Sequence, residues 1–458
     1  MDINKISNNH DVYEYIKNKR WFQNKNDTFL DFTVYDYFIQ DDIIYLLLLF
    51  NFIGKKALYY FPAMLNVSDS DAIARIGYQN IGDAFYSNIY AELIINNVKN
   101  NRVLENKRKS KLCFSTVKDF NISGISDFQL IENEQSNSSF IEKNIMIKNY
   151  RYLQNGENPD INMPVVLQNN GFNNVPELYG YIKYSSNFSI YIAQFSEFIE
   201  NSKDLWSYYT KFITGILSQD IPYDNRVQYI VNLMKDLSEK LGKITGEMHR
   251  TLSNIDDNAF KPERLNYDDI DNVIDDIMKN LGNAKRKIYD IIKNNVDFDK
   301  IKNTTKYIVS RNNVFKIRVH GDYHLGQVLL GDKLYIIDFE GEPMRVMNER
   351  IKKHCALKDV AGMIRSLGYL ISFINKDNYI NSGDMDKIRN TIKSNFVSSY
   401  RNETKNLNLY PENVDEFNEL LNIYIFQKAS YELLYEMNNR PSWIYIPLNE
   451  INSILNNF

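Results

Sequence analysis

Two histidines, three aspartates, two glutamates and a glutamine lie close together in RVHGDYHLGQVLLGDKLYIIDFEGEP, the segment from Arg318 to Pro343. Imidazole and carboxylate groups together hold transition metals, whereas carboxylate and amide oxygens hold magnesium. Magnesium in turn neutralises the charge that spreads over a phosphoryl group during its transfer. The segment is therefore a candidate for either a metal cage or a phosphoryl-transfer site.

The spacing of three residues favours phosphoryl transfer. In phosphotransferases of the protein-kinase type, an aspartate after a strand orients or deprotonates the acceptor hydroxyl, and an amide five residues later binds metal. A second aspartate at the end of the next strand holds the metal that bridges the nucleotide phosphates. Asp322, Gln327 and Asp338 have this order, and Asp338 follows the strand-like residues YII.

A zinc or manganese hydrolase is the rival interpretation of the same segment. His320, Asp322 and His324 alternate along the chain, and alternate residues of a strand share one face. Against this, Gly321 and Gly326 indicate a loop rather than a strand, and a third strong nitrogen or sulfur ligand is not evident nearby.

Length and composition limit what can surround this segment. A chain of 458 residues predicts two or three subdomains, and 44% hydrophobic with 24% charged residues is ordinary for a soluble globular protein. A formal net charge of −4 provides no general basic field, so nucleic acid is not an expected partner. Cys113 and Cys355 lie in no CxxC motif, which predicts a reducing, cytoplasmic location.

Neither the first residues of the sequence nor its most apolar stretch indicates a membrane protein. The first 25 residues lack the apolar core of a signal peptide. The most apolar stretch, IIYLLLLFNFI from Ile43 to Ile53, is roughly half the length that a membrane-spanning helix needs. We therefore expect it to form a buried strand and expect no membrane association.

The periodicity changes along the chain from strands to helices. Residues Thr28 to Leu65 alternate in short apolar and polar runs, which predicts antiparallel strands. Helical spacing of apolar residues predicts helices over Val227–Leu252, Asp359–Phe373 and Phe417–Met437. The predicted organisation is a β-rich cap over 1–90, a sheet-containing lobe with the nucleotide site over 91–200, and a mostly helical lobe over 201–458.

Several motifs together resemble those of one enzyme family. HGDYHLGQVL followed by IDFEGEP is similar to the catalytic and metal loops of maltokinases, relatives of the aminoglycoside phosphotransferases. Further matching segments follow in the same order along the chain: RWFQNK at Arg20, EQSNSS at Glu134, MIKNYRYLQNGENPD at Met146, DVAGMIRSLGY at Asp359 and KASYELLYEMNNRPSWIYIPL at Lys428. The resemblance implies an α+β, bilobal protein-kinase-like fold preceded by a β-rich cap. It also implies ATP and Mg²⁺ as cosubstrates and maltose phosphorylated on its anomeric hydroxyl, by a monomer or homodimer.

The resemblance assigns roles in the opening segment. Asp322 corresponds to the catalytic aspartate, and Gln327 and Asp338 correspond to magnesium ligands. Glu340 replaces the glycine of a DFG motif, where a second carboxylate either aids metal binding or hydrogen-bonds the sugar. His320 is placed at the substrate side of the site, as a residue that organises the loop rather than reacts.

The residues expected to bind the nucleotide depend more heavily on the resemblance. Small hydroxyl and amide side chains donate to phosphate oxygens from a hairpin turn, which makes Ser136, Asn137 and Ser138 candidates. Lys148 matches the family lysine that contacts the nucleotide phosphates; without the resemblance it is a surface strand residue. Relatives have a glutamate where this chain has Asn162, so the acidic partner of Lys148 is either Asp160 or Glu157. Adenine is expected at the segment 192–198.

The sugar site is expected on a helix near the C-terminal end of the sequence. Lys428, Tyr431 and Tyr435 follow at spacings of three and four residues and share a helix face, with Glu432 one step round. Tyrosine faces pack against pyranose rings and charged groups bind their hydroxyls, although tyrosines at this spacing also occur as ordinary core residues.

These observations predict an ATP-dependent sugar kinase, with maltose as its acceptor. A glucosamine kinase or another sugar kinase of the same fold is the alternative within the enzyme class. A noncatalytic, sugar-sensing pseudokinase is the alternative from another class, and the joint presence of Asp322, Gln327 and Asp338 argues against it.

Overall fold

The computed structural model describes residues 2–121, 128–131, 137–284, 297–342, 345, 347–377 and 379–455. The chain divides into two compact units. The first contains Met1–Val165 and Pro176–Glu200, and the second contains Val166–Val175 and Asn201–Phe458. No described helix is long and apolar enough to cross a membrane.

An antiparallel sheet forms the N-terminal part of the first unit, as the alternation in the sequence predicts. Its strands pair in the order β1-β2-β3-β5-β4, and a short strand, β11, pairs with β3. The bounds are β1 Phe29–Gln40, β2 Ile43–Phe52, β3 Lys55–Leu65, β4 Ala74–Ile76, β5 Gln79–Asp83 and β11 Tyr152–Leu153. Strand β2 is the most apolar stretch of the sequence, and its alternate residues belong to two different hydrophobic cores. Burial of both faces explains why β2 is apolar throughout.

A second antiparallel sheet completes the first unit, with strand order β6-β7-β12-β13-β10-β9-β8. Its bounds are β6 Val103–Glu105, β7 Lys111–Thr116, β8 Gln129–Ile131, β9 Asn137–Glu142, β10 Ile145–Tyr150, β12 Leu178–Ser185 and β13 Ser189–Glu197. Three helices accompany the two sheets in the described part of this region: α1 His10–Lys17, α2 Asn88–Lys99 and α3 Pro159–Asn169. Residues from both sheets and α2 share one core, so the two sheets pack as one body.

The second unit is mostly helical. Its described helices are α4 Leu205–Leu217, α5 Tyr223–Ser253, α6 Tyr267–Gly282, α7 Phe298–Arg311, α8 Met347–Arg350, α9 Leu357–Ile374, α10 Ser382–Glu403, α11 Val414–Asn439 and α12 Tyr445–Leu455. Helices α5, α9 and α11 contain the three predicted helical segments and extend each by a few residues. The predicted helices are confirmed.

Two small antiparallel sheets lie among these helices. One has the order β14-β17-β18, with β14 Lys203–Asp204, β17 Val328–Leu330 and β18 Leu334–Ile336. The other has the order β15-β16-β19, with β15 Glu263–Arg264, β16 Phe315–Ile317 and β19 His354–Cys355. The motif-rich segment therefore begins after β16 and continues through the β17-β18 hairpin.

Candidate active site

Asp322 lies in the loop between β16 and β17, within contact distance of helix α11. Its Oδ1 accepts a hydrogen bond from Nζ of Lys428 at 2.9 Å. Its Oδ2 is 4.0 Å from Nε2 of His324. The loop turns at Gly321, whose φ of +87° lies in the left-handed region that favours glycine. The sequence predicted Asp322 and Lys428 as site residues, and the structure brings them together.

The two charges of this pair stabilise each other. Burial raises the pKa of Asp322, but the positive charge of Lys428, assisted by His324, outweighs burial and holds the pKa well below its usual value. Burial lowers the pKa of Lys428, but Asp322, Glu342 and Glu432 raise it well above its usual value. Both groups are therefore ionised at neutral pH.

Gln327 and Asp338 form the second part of the site. Gln327 ends a 3₁₀ turn, and its Nε2 donates to Oδ2 of Asp338 at 2.9 Å. Asp338 follows β18 with a φ of +62°, unusual for a residue other than glycine. With the amide nitrogen directed at Asp338, Oε1 of Gln327 remains an acceptor.

Glu340 lies beside Asp338. Carboxylate oxygens of Asp338 and Glu340 lie within 4.8 Å of each other. Nη1 of Arg350 is 3.8 Å from Oε2 of Glu340. An amide oxygen and two carboxylates are the hard oxygen donors that Mg²⁺ prefers, so these side chains fit that ion.

The histidines do not form the metal cage of the rival interpretation. Among the described residues, His320, Asp322 and His324 do not place one ligand atom each within 4.8 Å of one another. The ring of His320 is 1% exposed, packs on Phe339 and hydrogen-bonds the carbonyl of Ile337 through Nε2 at 2.9 Å. His320 thus stabilises the loop from inside, and its placement among substrate-binding residues is corrected because its ring is not accessible.

The structure adds residues that the sequence did not single out. Oδ2 and Oδ1 of Asp359, on α9, accept hydrogen bonds from the backbone nitrogens of His320 and Gly321 at 2.7 and 2.9 Å. Nε2 of His249, on α5, lies 3.1 Å from Oδ2 of Asp359. This buried network fixes the backbone immediately before Asp322. The motif DVAGMIRSLGY contains Asp359, but only the fold shows which backbone groups it binds.

Helix α9 also touches the loop at Gly362. A Cβ added there would lie 2.7 Å from the carbonyl oxygen of Tyr323, next to Asp322. We expect Gly362→Ala to lower kcat by displacing the loop and to reduce the free energy of unfolding by about 1–3 kcal/mol, as overpacking does. Steady-state kinetics and urea denaturation measure the two effects. Gly368→Ala is the matched control, because it lies on the same helix with nothing within 4 Å. Equal behaviour of both variants would contradict a tight contact.

The predicted sugar-binding residues separate into two groups. Nζ of Lys428 lies 5.2 Å from the ring centre of Tyr431, and Tyr435 is 41% exposed on the same helix. Burial is the main cause that raises the pKa of Tyr431 to about 12. Glu432 instead accepts hydrogen bonds from the buried Arg365 at 2.7 and 3.0 Å. Both bonds end on Oε2, and the assignment of Glu432 to the substrate stays a prediction.

Lys148 of the first unit is buried, so it is not a surface strand residue. Its Nζ donates to Oδ2 of Asp160 at 2.9 Å. The same oxygen accepts from Tyr150 at 3.2 Å and from Gln194, in the predicted adenine segment, at 3.1 Å. The question of its acidic partner is thereby decided for Asp160.

Glu157, the other candidate partner of Lys148, has a different contact. Its Oε2 accepts a hydrogen bond from Nδ2 of Asn162 at 3.0 Å. Asn162, which replaces the usual glutamate, thus binds the second acidic residue of the segment.

The predicted phosphate-binding turn is only partly described. Ser136 lies outside the described residues. Asn137 and Ser138 belong to strand β9, paired with Tyr150 and Asn149 of β10, and not to a turn. The hydroxyl of Ser138 accepts from Nε of Arg151 at 2.9 Å. The placement of Asn137 and Ser138 in a turn is therefore wrong, and their contact with phosphate stays a prediction.

Part of the chain is similar in sequence to glucosamine kinases. The chain is 30% identical over 136 residues to a glucosamine kinase of Streptacidiphilus jiangxiensis, which is 29% of this chain and 30% of that protein. It is 28% identical over 132 residues to a glucosamine kinase of Mycolicibacterium smegmatis, covering 28% and 32% of the two chains. These matches span less than two thirds of either relative. No family model matches the chain.

The comparison of structures covers almost the whole chain. The structure of a glucosamine kinase in complex with glucosamine, ADP and inorganic phosphate has a TM-score of 0.66 and 15% identity, covering 96% of this chain and 98% of that one. A second crystal form of glucosamine kinase has a TM-score of 0.66 and 16% identity, with coverages of 97% and 99%. The chain has the fold of these kinases. The prediction of an α+β, protein-kinase-like fold is thus confirmed, and the loops described above belong to a kinase fold.

Proposed function

We propose that the chain is an ATP-dependent sugar kinase in which Asp322 is the catalytic residue. The observation that carries this proposal is the joint geometry of one short segment. Asp322 is held by Lys428 at 2.9 Å, and Gln327 and Asp338 are hydrogen-bonded at 2.9 Å in the following hairpin. A noncatalytic pseudokinase needs neither an ionised aspartate to accept the proton of the sugar hydroxyl nor two oxygen ligands for a metal beside that aspartate. The glucosamine kinase relatives, together with a solved glucosamine kinase that contains ADP, support ATP as the phosphoryl donor.

Asp322 acts on the acceptor hydroxyl. Because Lys428 keeps the pKa of Asp322 low, the carboxylate is a weak base that orients the hydroxyl before reaction. The sugar oxygen forms a bond to the γ-phosphorus, the bond from that phosphorus to the β,γ-bridging oxygen breaks, and ADP leaves. The hydroxyl proton passes to Asp322 as the sugar oxygen loses electron density. Lys148, held by Asp160, is proposed to bind the nucleotide phosphates, together with the segment that includes Ser136, Asn137 and Ser138.

Magnesium is proposed to bind Gln327 and Asp338, with Glu340 beside them. When bound, it supplies positive charge to the phosphate oxygens during transfer. Gln327 holds Asp338 in position through the amide nitrogen and offers the amide oxygen as a ligand.

The charge of Lys428 has a consequence for the pH dependence of activity. Lys428→Met removes the main group that lowers the pKa of Asp322, so burial dominates and that pKa rises. Protonated Asp322 cannot accept the hydroxyl proton, and the acid limb of kcat should therefore move to higher pH, past the ordinary range of an aspartate, because burial then outweighs the remaining charges. A pH–rate profile from pH 4 to 9 should show this limb in Lys428→Met and not in the wild type. Absence of an acid limb in the folded variant would show that Lys428 does not control Asp322.

Glucosamine is the acceptor that the comparisons favour, since the curated relatives and the most similar structures reported above are glucosamine kinases. Maltose remains the second candidate. The observation in its favour is the maltokinase-like segment from Lys428 onward, whose Lys428, Tyr431 and exposed Tyr435 share one side of α11.

Reducing ends distinguish the two acceptors. Phosphorylation of maltose on its anomeric oxygen destroys the reducing end, whereas phosphorylation of a primary alcohol retains it. With ATP and Mg²⁺, we expect ADP release with glucosamine, reducing ends retained, and a much smaller rate with maltose. ADP release from maltose in step with lost reducing ends would establish the maltokinase alternative. Absence of ADP release with every sugar would refute the kinase proposal.

A further inference from the structure

A small cavity next to Asp322 has a lining that the sequence motifs do not explain. Gly321, Lys428 and Tyr431 of the proposed acceptor site line it. Two carboxylates line the same cavity, Asp276 on α6 and Glu342 after the β17-β18 hairpin. Neither of them has a role in the mechanism above.

Arg345 fixes both carboxylates. Its Nη2 donates to Oδ2 of Asp276 at 2.8 Å, and its Nε donates to Oε2 of Glu342. Nε2 of Gln427 donates to the same oxygen of Asp276 at 2.9 Å. No described residue donates a hydrogen bond to the second oxygen of either carboxylate. Each carboxylate therefore retains an acceptor for a ligand while its orientation is fixed.

Arg345 alone does not cancel the charges of Asp276 and Glu342. Asp276 and Glu342 share one guanidinium, so the three side chains together carry one negative charge. Lys428 does not neutralise it by contact, because its Nζ is paired with Asp322 at 2.9 Å. Lys358 also lines the cavity, and no described carboxylate lies within ion-pair distance of it. Its positive charge acts on Glu342 and brings the sum over these four side chains to zero. The second oxygens of Asp276 and Glu342 still lack a donor among the described residues, so a ligand that brings several hydrogen-bond donors satisfies both carboxylates.

We propose that Asp276 and Glu342 bind the ammonium group of an amino-sugar acceptor and so determine the preference for amino sugars over neutral ones. The proposal rests on the proposed sugar kinase function. An ammonium has three N–H donors, and its hydrogen bonds to carboxylates are charge-assisted and stronger than those of a neutral hydroxyl. Arg345 is a positioning residue here, because it holds the two carboxylates rather than contacting the sugar.

Binding of two sugars that differ in charge tests the proposal. Calorimetric titration with glucosamine and with glucose gives the ratio of their dissociation constants. We expect the wild type to bind glucosamine more tightly than glucose. Asp276→Asn and Glu342→Gln should each weaken glucosamine binding by about 10- to 150-fold, the effect of one hydrogen bond to a charged group, and glucose binding by much less. Asp275→Asn, the same change one residue away on the exposed side of α6, should change neither.

Replacement of Lys358 should change the affinity for glucosamine in the opposite direction. Removing a positive charge from the cavity should strengthen glucosamine binding in Lys358→Met, whereas a cavity that accepts an anion would lose affinity. The proposal is overturned by equal losses for both sugars in the folded carboxylate variants, by equal affinities in the wild type, or by weaker glucosamine binding in Lys358→Met. Failure of the kinase proposal itself has a different signature, namely no ADP release with any sugar.

Discussion

Replacement of Asp322 by asparagine should lower kcat by about a hundred- to ten-thousand-fold, the range for loss of a positioned base. Asparagine has nearly the same shape but cannot accept a proton, and it leaves the ammonium of Lys428 without its ionic partner. The affinity for ATP should change little, because no nucleotide contact is assigned to Asp322. Steady-state kinetics and equilibrium binding of a fluorescent ATP analogue measure the two quantities separately.

The same variant can also lose stability, since its ion pair with Lys428 is only partly exposed. A melting curve therefore accompanies the kinetics, and Asp299→Asn on the exposed first turn of α7 is the control for the chemical change. A folded Asp322→Asn protein with near-normal kcat would remove Asp322 from the mechanism. Loss of ATP affinity in step with kcat would instead indicate a collapsed site.

Local features of the site were predictable because they depend on short distances along the chain. Asp322, Gln327 and Asp338 lie on one loop and one hairpin, so the identity and spacing of the residues already indicate their shared site. Strand and helix periods likewise predicted β1–β3, α5, α9 and α11. The unbroken apolar run in β2 was predicted as a strand by its length, and its burial on both faces explains its composition.

Contacts between distant elements were not predictable in this way. The ion pair of Lys428 with Asp322 joins α11 to a loop 106 residues earlier. Asp359 binds the loop from a second helix, and His249 of a third helix binds Asp359. Nothing local in the sequence specifies such pairs. Helical period placed Glu432 beside Lys428, but it could not show that Arg365 of α9 forms an ion pair with this glutamate.

Lys148 illustrates the boundary between the two kinds of inference. Family resemblance selected the lysine, and the sequence limited its partner to two acids in one short segment. Only the packing of α3 against β10 decided between them, because Nζ of Lys148 lies 2.9 Å from Asp160 while Glu157 binds Asn162. Asp160 also accepts from Tyr150 and Gln194, so its position is fixed from three sides.

Removal of the Asp338 carboxylate should abolish phosphoryl transfer. In Asp338→Ala, Gln327 loses its hydrogen-bond partner and remains as a neutral ligand, which cannot offset the charge of a metal-bound triphosphate. Glu340 does not replace it, because Arg350 lies 3.8 Å from that carboxylate and competes for its charge. We expect kcat below detection at any Mg²⁺ concentration and a weaker dependence of nucleotide affinity on Mg²⁺.

Activity assays over a range of Mg²⁺ and Mn²⁺ concentrations, together with nucleotide binding in the presence and absence of metal, check this prediction. Asp332→Ala is the matched control, because it removes a carboxylate from the turn of the same hairpin and costs only a hydrogen bond to Tyr335. Rescue of Asp338→Ala by high Mg²⁺ would mean that Gln327 and Glu340 suffice to hold the ion. If Asp338→Ala kept full activity without added metal and contained zinc in stoichiometric amount, the zinc hydrolase interpretation would be favoured instead. The buried ring of His320 argues against that interpretation.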